Sequence, residues 1–317
     1  MSREPSLSEL LIPLGSEIEQ GTRSRGYRAA SRGELHRITP GQWALAERAS
    51  RLSDNDRFRL LIEASRSRLR ADDVLSHWSA ALLWQLPIIG SWPDRVDVTV
   101  HQGSHLRSTT VLRRHVRPLV EKPHRLWNFP ITTVAETVVD IARVAPFATA
   151  VAMGDAALRR HEHSGNSAAL AGVSRPQLER VCGGDGERRG LARARRVLDF
   201  IDGRADRPGE SLSRVTMHLL GVPAPILQHR LVTPLGKIYY LDFYWPEFNI
   251  GGDFDGRIKY TDPAFRGGRS VEEVVYDEKL REDDVRLMVD GYGRWDYTVA
   301  GSPQLLAARL RRIGLRW

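Results

Sequence analysis

The stretch that most constrains the fold runs from Lys237 to Gly256: KIYYLDFYW, then PEF, then NIGGDFDG. It reads as two strands around a tight turn. Ile238, Tyr240, Leu241, Phe243 and Trp245 are strand formers, and Pro246 with Asn249 interrupts the run. Acids fall at Asp242 in the first strand and at Asp253 and Asp255, which close the second. Side chains alternate across a strand, so Asp253 and Asp255 share a face, and pairing around the turn brings Asp242 to the same end of the sheet. Carboxylates gathered at a sheet edge repel one another unless positive charge lies between them, and a hard cation such as Mg²⁺ suits their oxygens.

The flanking elements have a definite order. Gly209-Glu210-Ser211 opens an amphipathic helix (Leu212, Val215, Leu219, Leu220) that Gly221 stops. Ser270 to Glu273 is a capping box for a charged helix reaching about Val289. A strand from Arg294 to Ala300 follows, then a helix capped by Ser302, with Pro303 in its first turn and Gly314 at its end. Counting Ile226–Val232 as a strand, the order is αβββαβα. The pieces ESLSR, GVPAPILQ, LDFYWPE, GGDFDG and EKLRED, in this order over residues 206–317, resemble the C-terminal domain of the restriction-endonuclease-like superfamily, in its very-short-patch-repair-like branch. That resemblance implies a PD-(D/E)xK site. Asp242 is the first acid, Asp253 the second (where relatives usually carry Glu) and Glu210 the helix acid. Asp242 and Asp253, with Glu210 or Asp255, would hold Mg²⁺ for phosphodiester hydrolysis. The chain departs from the pattern where the family Lys should stand, two residues after the second acid; Asp255 is there instead. Lys259 is the nearby residue expected to orient water; EKLRED reads as a solvated charged face with i,i+4 pairs, and the resemblance would place Lys279 or Arg281 to clamp a phosphate.

The chain of 317 residues carries a net charge of +8, which favours a polyanionic partner. It has no run of 18 apolar residues and no basic, apolar leader, and its one cysteine, Cys182, forms no internal disulfide; a cytoplasmic address without membrane contact is expected. Residues 1–50 read as a basic head. Between Thr22 and Arg37 there are five Arg and one His against a single acid, Glu34. SRGELHRITPGQWA reads as the wing of a winged helix, with Arg28, Arg32, His36 and Arg37 as expected DNA contacts. No recognition helix is read in GSEIEQGTRSRGYRAA, whose glycines and weak periodicity also suit a solvated basic arm.

Residues 51–205 read as an α+β middle domain. Helices are expected from Asn55 to about Arg70 and from Asp73 to Leu86, the second burying Val74, Trp78, Ala81 and Leu82; His77 on it reads as structural. DRVDVTVH reads as a half-buried strand forming a hairpin with STTVLRRHV. The segment from His105 to Arg125 carries six Arg/Lys and three His against Glu121, so Arg113 and Arg114 are candidate phosphate contacts, a solvated hairpin being equally compatible. Thr133 to Glu136 is a capping box for a helix burying Val134, Val138 and Ile141; a helix from Ala148 to Arg160 follows. Beyond it come a polar connector over residues 161–188, a short helix in GLARARRVLDFIDG, and ADRPG as linker into residues 206–317. LSHWSAALLWQLP, the strands after it, ITTVAETVVDIA and AVAMGDAALRR resemble the middle region of AbiEi-type proteins, the antitoxin and regulator halves of type IV toxin–antitoxin and abortive-infection systems. The resemblance implies a winged-helix head, here shortened, and allows the nuclease-like C-terminal domain. The expectation is a multi-domain α/β (α+β) protein, a DNA-binding regulator or antitoxin with DNA and a cognate toxin as partners. The alternatives are a Mg²⁺-dependent endonuclease of defence or repair, and a toxin-neutralising protein–protein module.

Overall fold

The computed structural model describes residues 7–13, 20–101, 105–163, 172–184, 189–256 and 271–317. Over them the chain forms twelve α-helices and three sheets, a multi-domain α+β protein. It divides into two compact units, Met1–Ala145 with Asn166–Leu198, and Pro146–Gly165 with Asp199–Trp317. No helix among the described residues is long and apolar enough to cross a membrane.

The first unit begins with β1 (Ile12–Pro13), α1 (Gln20–Ser31), β2 (Leu35–Thr39), β3 (Gln42–Leu45), α2 (Ala46–Ser50) and α3 (Asp54–Ala64). The strands form an antiparallel sheet in the order β1-β3-β2, with Gly41 at φ 83° in the β2–β3 turn. Helix α1 corrects the sequence reading, which found none before the wing. Its glycines weaken intrinsic propensity, and tertiary contact makes up for it. Tyr27 packs edge-on against buried Trp43, 5.4 Å between centroids, and the Arg37 guanidinium lies 5.4 Å from the Tyr27 ring. Ser53 caps α3 by accepting from the Asp56 N–H.

The chain continues through β4 (Val74–Leu75), α4 (His77–Leu83), β5 (Val96–Val100), β6 (Leu112–Val116), β7 (His124–Leu126), β8 (Phe129–Ile131) and α5 (Val134–Val144). It passes to the second unit with α6 (Phe147–His163) and returns with α7 (Arg175–Gly184) and α8 (Leu191–Phe200). The sheet order is β6-β5-β4-β8-β7. Two expectations fail here. The helix from Asp73 is a short strand and then a helix, because Ser76 is extended and His77 turns the backbone left-handed, at φ 48°. The hairpin is not a hairpin either: β5 and β6 run parallel, Val96 opposite Leu112 through Val100 opposite Val116. Alternating hydrophobicity fixes a strand but not its direction, and parallel strands are typically buried on both faces, as every residue of β5 is. Its buried Asp97 is held by partners, while the Thr99 hydroxyl has none among the described residues. The Asp97 N–H donates to Ser79 Oγ at 2.8 Å, and an Asp97 carboxylate oxygen meets His115 Nε2 at 2.7 Å. His77 stacks on His115 with centroids 3.7 Å apart, and burial, then His115, hold its imidazole well below the usual range. Thr133 caps α5 by accepting from the Glu136 N–H, but the Glu136 carboxylate turns to the Val120 N–H and Arg117, so the reciprocal half of the box is missing.

The second unit contains α6, α9 (Pro208–Leu219), β9 (Ile226–Val232), β10 (Ile238–Trp245), β11 (Ile250–Phe254), α10 (Val271–Arg286), β12 (Gly291–Trp295), α11 (Tyr297–Ala300) and α12 (Pro303–Arg312). The αβββαβα order is present, with α11 as an extra turn where the sequence reading extended a strand to Ala300. Asp296 starts that turn by accepting from the Val299 N–H. Ser302 caps α12 through the Leu305 N–H. Ser270, the expected cap of α10, lies outside the described residues. The sheet order is β12-β11-β10-β9, with β11 and β12 parallel and the other pairs antiparallel. Each face has its own core: Phe243, Trp245, Phe254 and Trp295 with Met217, Leu306 and Leu310 on one, Leu241, Leu231 and Tyr292 with Val285 on the other. Helix α6, read as part of the middle domain, belongs to this unit. Its buried Asp155 accepts from Ser211 Oγ (2.7 Å), Arg214 Nη1 (2.8 Å) and the Asp202 N–H (2.7 Å).

Candidate functional site

The acids of the second unit meet where β10 breaks its alternation. Leu241 and Phe243 are two residues apart yet pack into different cores, so the strand changes face at Asp242. The regular β10–β11 register runs from Trp245–Ile250 to Phe243–Gly252, and past it side chains replace the ladder. The Asp242 N–H donates to Asp253 Oδ1 at 3.0 Å, and the Phe254 N–H donates to Asp242 Oδ2 at 2.8 Å. Across β9, Gln228 takes a left-handed backbone, φ 50°, which a non-glycine residue adopts at a cost of about 1–3 kcal/mol. That conformation aims its amide at the acids: Nε2 donates to Asp242 Oδ1 at 3.1 Å and to Glu210 Oε2 at 3.2 Å. Glu210, in the first turn of α9, also accepts from the Asp206 N–H at 2.8 Å.

Arg281 comes from α10 and supplies the positive charge. Its Nη1 donates to Asp253 Oδ2 at 2.6 Å and its Nη2 to the Tyr240 carbonyl at 2.7 Å, while Tyr292 Oη donates to Asp253 Oδ2 at 2.6 Å. Asp255 faces Arg294, 3.0 Å away, and Arg294 also reaches Glu278 at 3.3 Å. Asp255 Oδ1 is buried with no hydrogen-bond partner among the described residues. Asp242, Asp253, Arg281 and Arg294, with Arg207 and Tyr239, line a cleft of about 720 Å³.

The electrostatics follow from burial. Glu210 is pushed up to about 8, first by burial and then by the charge of Asp242. Asp242 is pushed up to about 6, by burial and then by Asp253. A carboxyl with a raised folded pKa stays protonated in the fold while the unfolded chain ionises, so its contribution to stability is lost as pH rises through the folded value. Glu210→Gln is therefore expected to raise stability by about 1–2 kcal/mol at pH 8 and to change little near pH 4.5, since one pKa unit is about 1.4 kcal/mol before discounting for the coupled neighbour. Thermal melts at both pH values in EDTA check this, and an equal change at both would refute it.

The structure thus brings Glu210, Asp242, Asp253 and Arg281 together, with Asp255 paired separately to Arg294. Lys259 lies outside the described residues, and Lys279 is exposed on α10. Both oxygens of Asp242 and both of Asp253 accept internal N–H or O–H donors. Among the described residues no three His, Cys, Asp or Glu side chains are grouped to hold a metal ion. Asp253 Oδ2 takes two donors and has no lone pair left for a Mg²⁺ ion, whereas each oxygen of Asp242 accepts one donor and keeps one. Sequence reasoning missed Gln228 and Tyr292; for Gln228 the only signal is structural, its backbone.

The expected DNA contacts of the first unit divide. Arg28 is exposed in the last turn of α1, and His36 and Arg37 are exposed on β2. Arg32 pairs with Glu34 at 2.6 Å, both exposed. Arg113 is partly exposed and lies 3.7 Å from Asp97, whereas Arg114 is turned inward, 3.5 Å from buried Asp73.

No family model matches the chain. Two Mycobacterium tuberculosis sequences are similar to it, uncharacterized protein MT2308 of strain CDC 1551 / Oshkosh and uncharacterized protein Rv2248 of strain ATCC 25618 / H37Rv. Each is 30% identical over 252 residues, spanning 77% of this chain and 85% of its own length. Among solved structures, the RV2827C protein from Mycobacterium tuberculosis aligns over 67% of this chain and 77% of its own, at 17% identity and a TM-score of 0.34. The chain belongs to the family of the two uncharacterized mycobacterial proteins, MT2308 and Rv2248.

Proposed function

We propose that the chain is a DNA-binding regulator of the AbiEi-like antitoxin type, whose C-terminal unit keeps a nuclease-like αβββαβα fold but does not cut. The observation that carries this reading is Arg281: its guanidinium holds Asp253 at 2.6 Å, the place where the PD-(D/E)xK resemblance would put a cation. Asp255 in place of the family Lys agrees with it. The N-terminal head supports DNA binding, since α1 precedes a hairpin bearing His36 and Arg37 and ends near Arg28. Phosphate contacts from such a head give affinity with little sequence information. A cognate toxin is the protein partner this reading adds, and a cytoplasmic setting suits the lone Cys182.

A Mg²⁺-dependent DNA endonuclease is the second reading, favoured by the raised carboxyls of Glu210 and Asp242 beside a cleft, a pattern that marks active sites. Gel retardation of a short duplex in EDTA, with plasmid nicking in Mg²⁺ on the same samples, separates the two. The expected result is retardation without nicking, with a log–log salt slope of about −3, reduced by about 1 in Arg28→Ala or Arg37→Ala. Affinity should be unchanged in Asp242→Ala. Nicking that disappears in Asp242→Ala overturns the regulator reading.

A further inference from the structure

A second cleft, of about 480 Å³, lies in the N-terminal unit far in sequence from the acids, and its size suits a small ligand. Asn55 and Arg59 of α3, Leu83 and Gln85 at the end of α4, Trp92 and Trp127 line it. Trp92 is fixed: it stacks on Phe58 at 5.3 Å, meets Trp78 edge-on, and its Nε1 donates to Asn55 Oδ1 at 2.7 Å. Trp127 is 49% exposed and sits with Asn128 in the two-residue turn joining β7 to β8, at φ 53° and 61°. Such turns favour Asn and Gly at both positions, so a bulky indole in the first is a costly choice for a turn alone. Gln85, on the same rim, is also left-handed, at φ 52°. The turn is pinned, because Arg66 Nη2 donates to the Trp127 carbonyl at 3.2 Å while stacking on Phe129.

Arg59 places its guanidinium 3.8 Å from the centre of the Trp127 ring and makes no ion pair or hydrogen bond with any described residue. Its N–H donors are thus open to an incoming acceptor, and it covers one face of the half-exposed Trp127 indole, leaving stacking to the other. Side-chain amides and a carboxylate, Asn55, Gln85 and Asp56, stand around the apolar floor. A flat ring with a hydrogen-bonding edge and an attached anion matches all three features: stacking on Trp127, amides for the edge, and Arg59 for the charge.

We propose that this cleft binds an unpaired nucleobase carrying a phosphate, supplied either as a free mononucleotide or by single-stranded nucleic acid. The site goes beyond the regulator reading and does not depend on the head or on the carboxylate cleft. Calorimetric titration of the full chain with AMP, CMP, ribose 5-phosphate and an eight-residue oligo(dA) tests it, on wild type, Trp127→Phe, Trp127→Asn and Arg59→Ala. AMP or oligo(dA) should bind saturably and ribose 5-phosphate should not. Trp127→Asn should weaken binding by about tenfold or more, while Trp127→Phe retains most of it. Because Asn suits the left-handed turn, Trp127→Asn should melt no lower than wild type, which separates loss of the stacking face from loss of the fold. Binding of oligo(dA) alone identifies a single-stranded source, and binding of AMP a free nucleotide; either supports the site. No binding of any base-containing probe, or equal binding by Trp127→Asn, overturns it. So does a Trp127→Asn variant that binds nothing differently but loses self-association, which would make the cleft a protein interface. Duplex retardation is untouched by these outcomes, so this proposal and the regulator reading fail separately.

Discussion

Asp253→Ala is expected to destabilise the C-terminal unit by about 3 kcal/mol in EDTA, because it strands an arginine and a buried tyrosine whose partner was a carboxylate. Asp253 accepts from Arg281, from Tyr292 and from the Asp242 N–H, and among the described residues no other acceptor meets Tyr292 Oη, in a residue 4% exposed. The direction separates two kinds of acidic site. In an open metal site without its ion, removing one of several repelling carboxylates relieves strain and leaves stability level or higher. Here the carboxylate is already matched by an internal cation, so its loss costs. Urea unfolding of wild type, Asp253→Ala and Asp253→Asn measures it, and an alanine variant as stable as wild type would show that the Arg281 pair contributes nothing.

The second large effect is expected at Gly209, the residue before Glu210. A Cβ there would overlap the ring of Phe254. That ring is held edge-on by Tyr297 at 4.8 Å and lies in the core with Trp295 and Leu306, so it has no free direction to move. Gly209→Ala is expected to cost about 2–3 kcal/mol through overpacking. By displacing the start of α9 it should also break the Glu210–Gln228 hydrogen bond. Shrinking the ring in Gly209→Ala/Phe254→Leu should restore part of the loss, a coupling that a double-mutant cycle reads directly. Additive losses would mean the two residues do not meet.

The elements around these residues were legible because their signals are local. Pro246 and Asn249 mark the β10–β11 turn, Ser302 and Pro303 start α12, and Thr133 starts α5 within its own first turn. That Asp242 and Asp253 share one end of a sheet also follows from strand pairing, whereas Glu210, on α9, was expected there only from the resemblance. What joins them does not. Gln228 reaches two acids only because its backbone is left-handed, and nothing in ILQHRLV announces that. Arg281 stands 28 residues after Asp253, and its pairing depends on how α10 lies on the sheet. Helix α1 was hidden for a similar reason, since its support is Trp43 on another element. The β5–β6 pairing failed for want of any signal of direction.

The order in which the two units share the chain has a consequence during synthesis. Helix α6 belongs to the second unit, yet it leaves the ribosome before α7 and α8 return to the first. The carboxyl of its buried Asp155 waits for partners that begin at Asp202 and continue through Arg214. At about 5–20 residues per second, the roughly 50 residues from the end of α6 to Arg214 take about 3–10 s to appear. Throughout that interval the nascent protein displays a sticky, half-satisfied helix, so translation that stalls between residues 163 and 214 should leave a species that chaperones hold or proteases clear.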